Sequence, residues 1–347
     1  MAFILLTACW DKVELENRAF VNTVGIDTNE KAFVVTALLP SHNDNSNILT
    51  ATSAGLYPAL QNINLVSSQT AYYGQTKAII LSHSLLKNPD LLAQALDAME
   101  RNREVSRKVS LLASEEPAQN VLKAKLAEDQ PLGMYISSFY TDKHSELGVA
   151  FKKDLEGLLE DLRRGNGAVI PCVKIKDEIA HLSGAALLSP ELTLHSLLNS
   201  DELRGLMLAK GQADEAGIFA RLDGVDVPLR LFKQRSKLNF GEDQSGLWCK
   251  INIKAWGSID EYRLGQNLPH SMEGLQALYA RTIKEEIRHT ACRLAEARVD
   301  GIGLLDHLRK FHYCLYEKYV LQNKINLSDI RIEIAADVVI SDIGAIN

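Results

Sequence analysis

The chain is short of cysteine, of excess positive charge and of long apolar runs, and each shortage removes a class of protein. Five cysteines scattered over 347 residues fit neither a disulfide framework nor the close cysteine pairs of structural zinc sites. No apolar run approaches the roughly 18 residues of a membrane-spanning helix. A net charge of -6 argues against nucleic acid as the main partner, because a duplex-binding surface needs clustered cations.

What remains has the balance of a folded protein. Hydrophobic residues make up 46% and charged residues 24% of the chain, which is enough apolar surface to offset the entropy lost on ordering. The length predicts two or three domains at about 150 residues per domain.

The first ten residues form a short apolar run that ends in Leu6-Thr-Ala-Cys9-Trp10. This ending resembles a bacterial lipobox, in which small residues precede a cysteine that receives a diacylglycerol thioether. The run has no basic n-region and lies at the short end of the roughly 7–15 apolar residues of a signal peptide. We therefore interpret 1–9 as a truncated signal and lipobox remnant with Cys9 as the lipidation site. A buried N-terminal strand with an incidental cysteine is the alternative.

Motifs of enzymes are scarce. The sequence contains no Gly-x-x-x-x-Gly-Lys phosphate loop, no His-Glu-x-x-His zinc motif and no Gly-x-Ser-x-Gly nucleophile elbow. Gly301-Ile-Gly303 lacks the third glycine of a dinucleotide loop and follows a helical pattern, so we interpret it as a turn between two helices. The sequence predicts no catalytic residue and no cofactor.

Pairs of ligand-type residues occur, but none makes a convincing site. His289 with Cys292, and His312 with Cys314, are two-residue sets that do not close a tetrahedral metal site, so no metal is predicted. Adjacent carboxylates at 115–116, 201–202 and 285–286 lie at predicted helix starts or on predicted exposed faces. Adjacent residues on a helix do not face each other, so we expect these carboxylates to be solvated.

The spacing of apolar residues predicts three units. Strands alternate with helices over 10–130, which is typical of an α/β domain. This unit includes a predicted hairpin of strands 20–26 and 32–38 and a predicted helix over 52–66. The turn signal of Gln130–Gly133 ends that unit, and 131–212 forms a middle domain with an amphipathic helix over 151–162 and a further helix over 200–210. The remaining 213–347 forms the C-terminal domain.

The C-terminal domain has the clearest pattern. Apolar residues alternate with polar ones at Cys249, Ile251 and Ile253, and again along the strand over 330–340. Such alternation predicts an antiparallel sheet with one covered face, and two long helices over 275–294 and 304–319 would cover it. The predicted fold class is α+β, mixed α/β, in an elongated multidomain protein.

The residues after Cys9 resemble a known family. Trp10-Asp11, Arg18-Ala-Phe20 and Gly25-Ile-Asp27 are similar to the opening of the spore germination lipoproteins of the Ger(x)C family. Segments similar to the family follow in the same order at 74–81, 203–206 and 300–303. The resemblance therefore covers nearly the whole chain.

The resemblance implies a function. Members are the C subunits of nutrient germinant receptors, non-enzymatic lipoproteins on the outer face of the spore inner membrane. It implies membrane lipid bound through Cys9 and partnership with the integral-membrane A and B subunits of the receptor. The alternatives are a solute-binding lipoprotein that captures a nutrient directly and a lipid-anchored hydrolase. A deep interdomain cleft with convergent polar groups would favour the solute-binding alternative.

Overall fold

A computed structural model describes residues 14–40, 47–126, 130–141, 147–222, 225–259 and 271–343. The predicted lipidation site Cys9, with Trp10 and Asp11, lies outside the described residues. None of the helices in these ranges is both long enough and apolar enough to cross a bilayer.

Strands and helices alternate along the first half, and long strands dominate the last third. The strands are β1 Arg18–Phe20, β2 Thr23–Asn29, β3 Ala32–Leu39, β4 Asn47–Ser53, β5 Thr70–Tyr72, β6 Ala78–Ser82, β7 Ser110–Ser114, β8 Ala168–Lys176, β9 Ile179–Leu188, β10 Leu194–Leu198, β11 Gly217–Leu222, β12 Val225–Asp243, β13 Gly246–Ile259 and β14 Arg331–Ile343. The helices are α1 Leu56–Asn62, α2 His83–Leu86, α3 Pro89–Arg101, α4 Ala118–Lys123, α5 Leu132–Thr141, α6 Leu155–Arg163, α7 Ser200–Lys210, α8 Met272–Glu296, α9 Leu304–Phe311 and α10 Tyr313–Leu315, and a π-helical segment over Tyr316–Gln322 follows.

The first sheet has eight strands in the order β10-β9-β8-β7-β6-β2-β3-β4. Its centre is parallel, since β2, β6 and β7 are neighbours that point the same way. The predicted hairpin of β2 and β3 is confirmed, with Thr23 opposite Leu38 and Asn29 opposite Ala32. The helix predicted over 52–66 is wrong at its start, because β4 continues to Ser53 and α1 begins only after Gly55.

The eight-stranded sheet runs past the predicted boundary near residue 130. Strands β8 to β10 of the predicted middle domain extend the sheet of the first one, and Ala113 of β7 pairs with Cys172 of β8. Helix α7, also from the predicted middle domain, packs on the last sheet, where Gln234 Nε2 donates to Leu208 O at 2.5 Å. The division at residues 130 and 212 stays a prediction.

The second sheet has four strands in the order β11-β12-β13-β14. Strands β11 to β13 are antiparallel, but β14 runs parallel to β13, with Cys249 opposite Ile332 and Ile251 opposite Ile334. The prediction of a wholly antiparallel sheet is therefore wrong, while the α+β class is confirmed. Parallel neighbours need a long crossover, and the segment between β13 and β14, which includes α8, supplies it.

The predicted pair of long covering helices is wrong in one member. Helix α8 spans 25 residues and buries Leu275, Ile283 and Ile287 against the sheet. The second helix, α9, has 8 residues and ends before His312, whose φ of -137° and ψ of 50° are not helical. Helix α7 provides the rest of the cover, so the covered face carries α7, α8 and α9.

Candidate functional site

The chain that follows the predicted anchor is held in a separate two-stranded sheet. β1 pairs in parallel with β5, and Ala19 and Val21 are buried beside it. The Arg18 guanidinium lies 4.7 Å from the centre of the Tyr72 ring, and Phe20 meets the same ring edge-on at 5.7 Å. These contacts give Arg18 a packing role, at about 0.5–1 kcal/mol for an exposed cation–π pair.

A polar seam joins α7 to α8. Arg204 donates to both oxygens of Glu286, from Nε at 3.0 Å and from Nη2 at 2.6 Å. The Thr290 hydroxyl donates to the Glu202 carbonyl at 2.7 Å. The helices approach closely here because residue 205 is glycine, since a Cβ at Gly205 would lie 2.5 Å from Thr290 Oγ1.

Two carboxylates of this seam contradict the expectation of solvated charge. Glu202 is only 6% exposed, and its carboxylate accepts from the Asn199 amide at 2.8 Å while its other oxygen lies 3.0 Å from His289 Nε2. The Glu286 side chain is 14% exposed. Sequence reasoning missed both positions, although Asn199-x-x-Glu202 is a capping box that the sequence displays. The seam is an ion-pair network that fixes two helices, and it presents no reactive group.

Two adjoining clefts lie where the turn after α6 meets the segment around α9. One has a volume of about 190 Å³, the other about 430 Å³, and Arg164, Asn166 and Asp306 line both. The first falls below the roughly 300–1,000 Å³ of small-molecule sites, and the second falls inside that range.

Ion pairs line these clefts, whereas Lys210 of the smaller cleft has its Nζ 3.4 Å from the Gly301 carbonyl oxygen. Lys153 pairs with Asp161, and Arg164 Nη1 lies 3.2 Å from Asp306 Oδ1. Arg298 Nη2 lies 2.5 Å from Glu191 Oε2. A ligand would have to compete with these internal partners, so the clefts offer few polar groups with unused bonding capacity.

Asp300, at the base of the smaller cleft, has a structural role. Its carboxylate accepts from the backbone amides of Gly303 at 3.0 Å, Leu304 at 2.6 Å and Leu305 at 2.8 Å. Burial raises the pKa of Asp300 and outweighs these backbone donors, which lower it. Gly303 has a φ of 87°. The segment 300–303 is thus a turn that begins α9, as the sequence predicts.

The predicted ligand pairs do not assemble into a metal centre. Cys292 and Cys314 are exposed free thiols. His289 is engaged with Glu202, and His312 lies 5.6 Å from the Phe240 ring centre. Within the described ranges, no group of three or more His, Cys, Asp or Glu side chains is placed to hold a metal ion.

Comparison with known proteins assigns the two halves of the chain. Residues 11–175 match the family described as "Spore germination protein N-terminal domain", and 183–344 match "Spore germination B3/ GerAC like, C-terminal". Spore germination protein KC of Bacillus subtilis (strain 168) is 22% identical, with 100% of this chain and 95% of that protein covered. Putative spore germination protein YfkR of the same strain is 21% identical, with 87% and 84% covered.

A solved structure has a similar fold. The crystal structure of the GerBC protein superposes with a TM-score of 0.65, covering 92% of this chain and 96% of that one at 18% identity. At this identity the similarity applies to the fold.

Proposed function

Because this chain belongs to the spore germination protein family whose N-terminal and C-terminal domains it matches, we propose that it is a lipid-anchored subunit of a nutrient germinant receptor. The observation that carries the proposal is the order of the two matches, over 11–175 and 183–344, which together span nearly the whole chain. In this role the chain serves assembly and signalling during nutrient-triggered germination.

We propose Cys9 as the attachment point. It stands two residues before the first family match begins at residue 11, and small residues precede it as in a lipobox. A diacylglycerol thioether with a further acyl chain anchors a protein stably, where a single chain is marginal. The anchor would hold the folded part on the outer face of the spore inner membrane.

We propose that the subunit is non-enzymatic and acts through its partners. Ion pairs and helix caps engage Glu202 and Glu286 in the α7–α8 seam, and Arg164 and Asp300 in the clefts. An arrangement of this kind stabilises a scaffold and leaves chemistry to others. The partners are the integral-membrane A and B subunits of the receptor, which the folded domains would hold together.

The runner-up is a solute-binding lipoprotein. The cleft of about 430 Å³ favours it, because that volume suits an amino acid or a sugar. The ion pairs of Arg164 and Arg298 favour the scaffold role instead. A solute would have to displace an internal carboxylate from each of these cations.

Fatty-acid labelling tests the anchor. The gene is expressed from its native start in a spore former, and the protein is labelled with a fatty-acid analogue and partitioned into detergent. Cys9→Ala should lose both the label and the partitioning, while Cys292→Ala, which changes an exposed cysteine, should keep both. Label that persists in Cys9→Ala would overturn the anchor.

Co-expression tests the partnership. The chain, tagged at its C-terminus, is produced with the A and B subunits of its receptor and purified in mild detergent. Both subunits should co-purify with the wild type and with Cys292→Ala. A chain that is lipidated and folded but recovers neither subunit would contradict the receptor role.

A further inference from the structure

The described residues leave one face of the second sheet uncovered, and that face is cationic and aromatic. Helices α7, α8 and α9 all pack on the side that carries Leu229, Cys249 and Ile251. The residues between these positions point the other way, and no described element covers them. On this outer face the cations are Arg221, Arg230, Lys233, Arg235, Lys237, Lys250, Lys254 and Arg331, and the carboxylates with described side chains are Asp226, Asp243, Glu333 and Asp337.

The imbalance of eight cations against four described carboxylates stands out in a chain whose net charge is -6. Three of the carboxylates are paired within the face. Asp337 lies 3.6 Å from Lys254, and Arg331 has Glu333 at 3.6 Å and Asp243 at 2.5 Å. Lys233, Arg235 and Lys237 alternate along β12, and across the described part of the chain these three have no ion-pair partner. Strand β12 thus presents a row of three cations.

Two tryptophans lie in the same face. The Trp256 ring has Lys233 Nζ at 5.3 Å, Lys254 Nζ at 5.4 Å and Arg235 Cζ at 6.0 Å from its centre. Trp248, near the hairpin end of β13, covers Gly241 on β12, where a Cβ would clash with the indole ring. Eight residues of strand separate the tryptophans by about 27 Å.

Two phenylalanines extend the aromatic character at the other end. Phe219 on β11 is 55% exposed, and Phe232, at the bulge of β12, is 47% exposed. Large apolar side chains this open to solvent, set among cations, mark an interaction surface. We name the outer face of β11 to β14, with these four aromatics and eight cations, the cationic face.

We propose that the cationic face docks on the surface of a bilayer that contains anionic phospholipids. Its charge is complementary to such a surface, and each Lys or Arg near an anionic bilayer contributes about 1 kcal/mol. The cations are spread over four strands, which suits a continuous plane of anionic headgroups. Tryptophan is enriched at the level of the headgroups, where its ring is half in water.

Nucleic acid fits the cationic face less well. Single-stranded nucleic acid binds to sheets by stacking bases on open aromatic rings. Three cations of the chain itself already approach the Trp256 ring. A base would have to displace them before it could stack.

This docking does not depend on Cys9, and unlipidated protein tests it. The Cys9→Ala chain is sedimented with vesicles of phosphatidylglycerol and phosphatidylcholine in a 3:7 ratio, and with vesicles of phosphatidylcholine alone. The partition coefficient should be at least tenfold higher on the anionic vesicles and should fall steeply with salt. Equal binding to both vesicles, or binding to neither, would overturn the proposal and leave the anchor untouched.

A matched pair of charge reversals locates the binding. One triple variant carries Lys233→Glu, Arg235→Glu and Lys237→Glu. Its partition coefficient on the anionic vesicles should be at least tenfold lower than that of the parent protein. The control is a triple variant at exposed positions outside the second sheet, Lys87→Glu, Lys123→Glu and Lys152→Glu. It changes the net charge equally, and its partition coefficient should stay within twofold of wild type. Equal losses in the two triple variants would assign the binding to net charge and overturn the proposal.

Two further measurements keep the result decisive. If the charge reversal lowers the unfolding temperature, a variant with glutamine at 233, 235 and 237 replaces it. This variant removes the charges without adding repulsion, and its partition coefficient on the anionic vesicles should still fall at least fivefold.

An oligonucleotide of 20 nucleotides serves as competitor for the vesicles. Tighter binding to the oligonucleotide, lost in the same face variant, would overturn the bilayer in favour of nucleic acid.

Discussion

At the scale of single residues, the contact between α7 and α8 turns on one glycine. Gly205 allows the Thr290 hydroxyl and the Glu286 carbonyl to approach its backbone, and a Cβ there would lie 2.7 Å from that carbonyl oxygen. The adjacent Arg204 makes the bidentate ion pair across the same seam. Helix separation and ion-pair geometry are therefore set together, by neighbouring residues.

Gly205→Ala should destabilise the protein by about 1–3 kcal/mol, because the methyl group forces α7 away from α8. Gly157→Ala in α6 is the matched control, since its Cβ would meet side-chain atoms alone, Asp154 Oδ1 at 3.1 Å and Lys153 Cδ at 3.9 Å. It should stay within about 1 kcal/mol of wild type, as alanine favours the helix. Denaturant unfolding measures both, and equal stability of the two variants would contradict the close approach.

A histidine in the C-terminal region links stability to pH. His307 stacks on Phe240 at 5.7 Å and lies 4.6 Å from the Phe311 ring centre. Burial, and next the nearby His312, lower the pKa of His307; Lys310 lowers it further, and Asp306 opposes the shift. The unfolded chain, with an ordinary pKa near 6.5, then binds the proton more readily than the folded one.

The stabilisation from neutral His307 is therefore present above pH 6.5 and is lost as the pH falls through the folded pKa. His307→Phe keeps an aromatic ring in the stack and removes the titration. Its loss of unfolding free energy between pH 7 and pH 5 should be smaller than that of wild type. His195→Phe, at an exposed site on β10, should follow wild type, and identical pH profiles for all three proteins would reject the linkage.

At the scale of secondary-structure elements, β13 shows the alternation of apolar and polar residues that a sheet with one covered face requires. Ile251 is fully buried on the inner face, and the next residue, Asn252, points outward beside Lys237. A one-residue step therefore separates the core from the cationic face. The alternation is correct in the prediction, whereas the direction of β14 is not.

Ile251→Asp should unfold the C-terminal region, because a buried and unpaired carboxylate costs several kcal/mol. Asn252→Asp introduces the same side chain one position later, on the outer face among cations. It should change the stability by no more than about 1 kcal/mol, as surface substitutions usually do. Thermal unfolding followed by circular dichroism measures both, and comparable losses would place β13 in another register.

At the scale of the whole molecule, the two sheets are linked by helices as well as by the chain. Helix α7 follows β10 of the first sheet directly and packs on the second sheet, and Arg164, in the turn after α6, reaches Asp306 of α9. The clefts lie in this junction. Arg164 and Arg298 in these clefts have internal carboxylate partners, which favours a structural junction over a receptor pocket.

The purified chain should give flat calorimetric titrations with amino acids, sugars and nucleosides. A stoichiometric dissociation constant below about 100 μM, roughly 5.5 kcal/mol, would favour the solute-binding alternative. Arg164→Ala, which alters both clefts, would then show whether that binding occurs at the junction. A Kd unchanged in that variant would place the binding elsewhere.

The local pattern of apolar and polar residues determines many of the helices and strands of this protein. The sequence by itself determined the helix over Ser200–Lys210, the hairpin of β2 and β3 and the alternation in β13, because each depends on neighbours within a few residues. It also determined the family, because the segments that carry the resemblance keep their order along the chain.

Only the tertiary structure decided how these elements meet. The parallel pairing of β14 with β13 is invisible in an alternation of period 2, which is the same for both strand directions. The burial of Glu202 and Glu286 depends on partners more than 80 residues away. The cationic face exists because three helices lie on one side of the second sheet and no described element lies on the other. Packing at that distance is not encoded in the spacing of neighbouring residues.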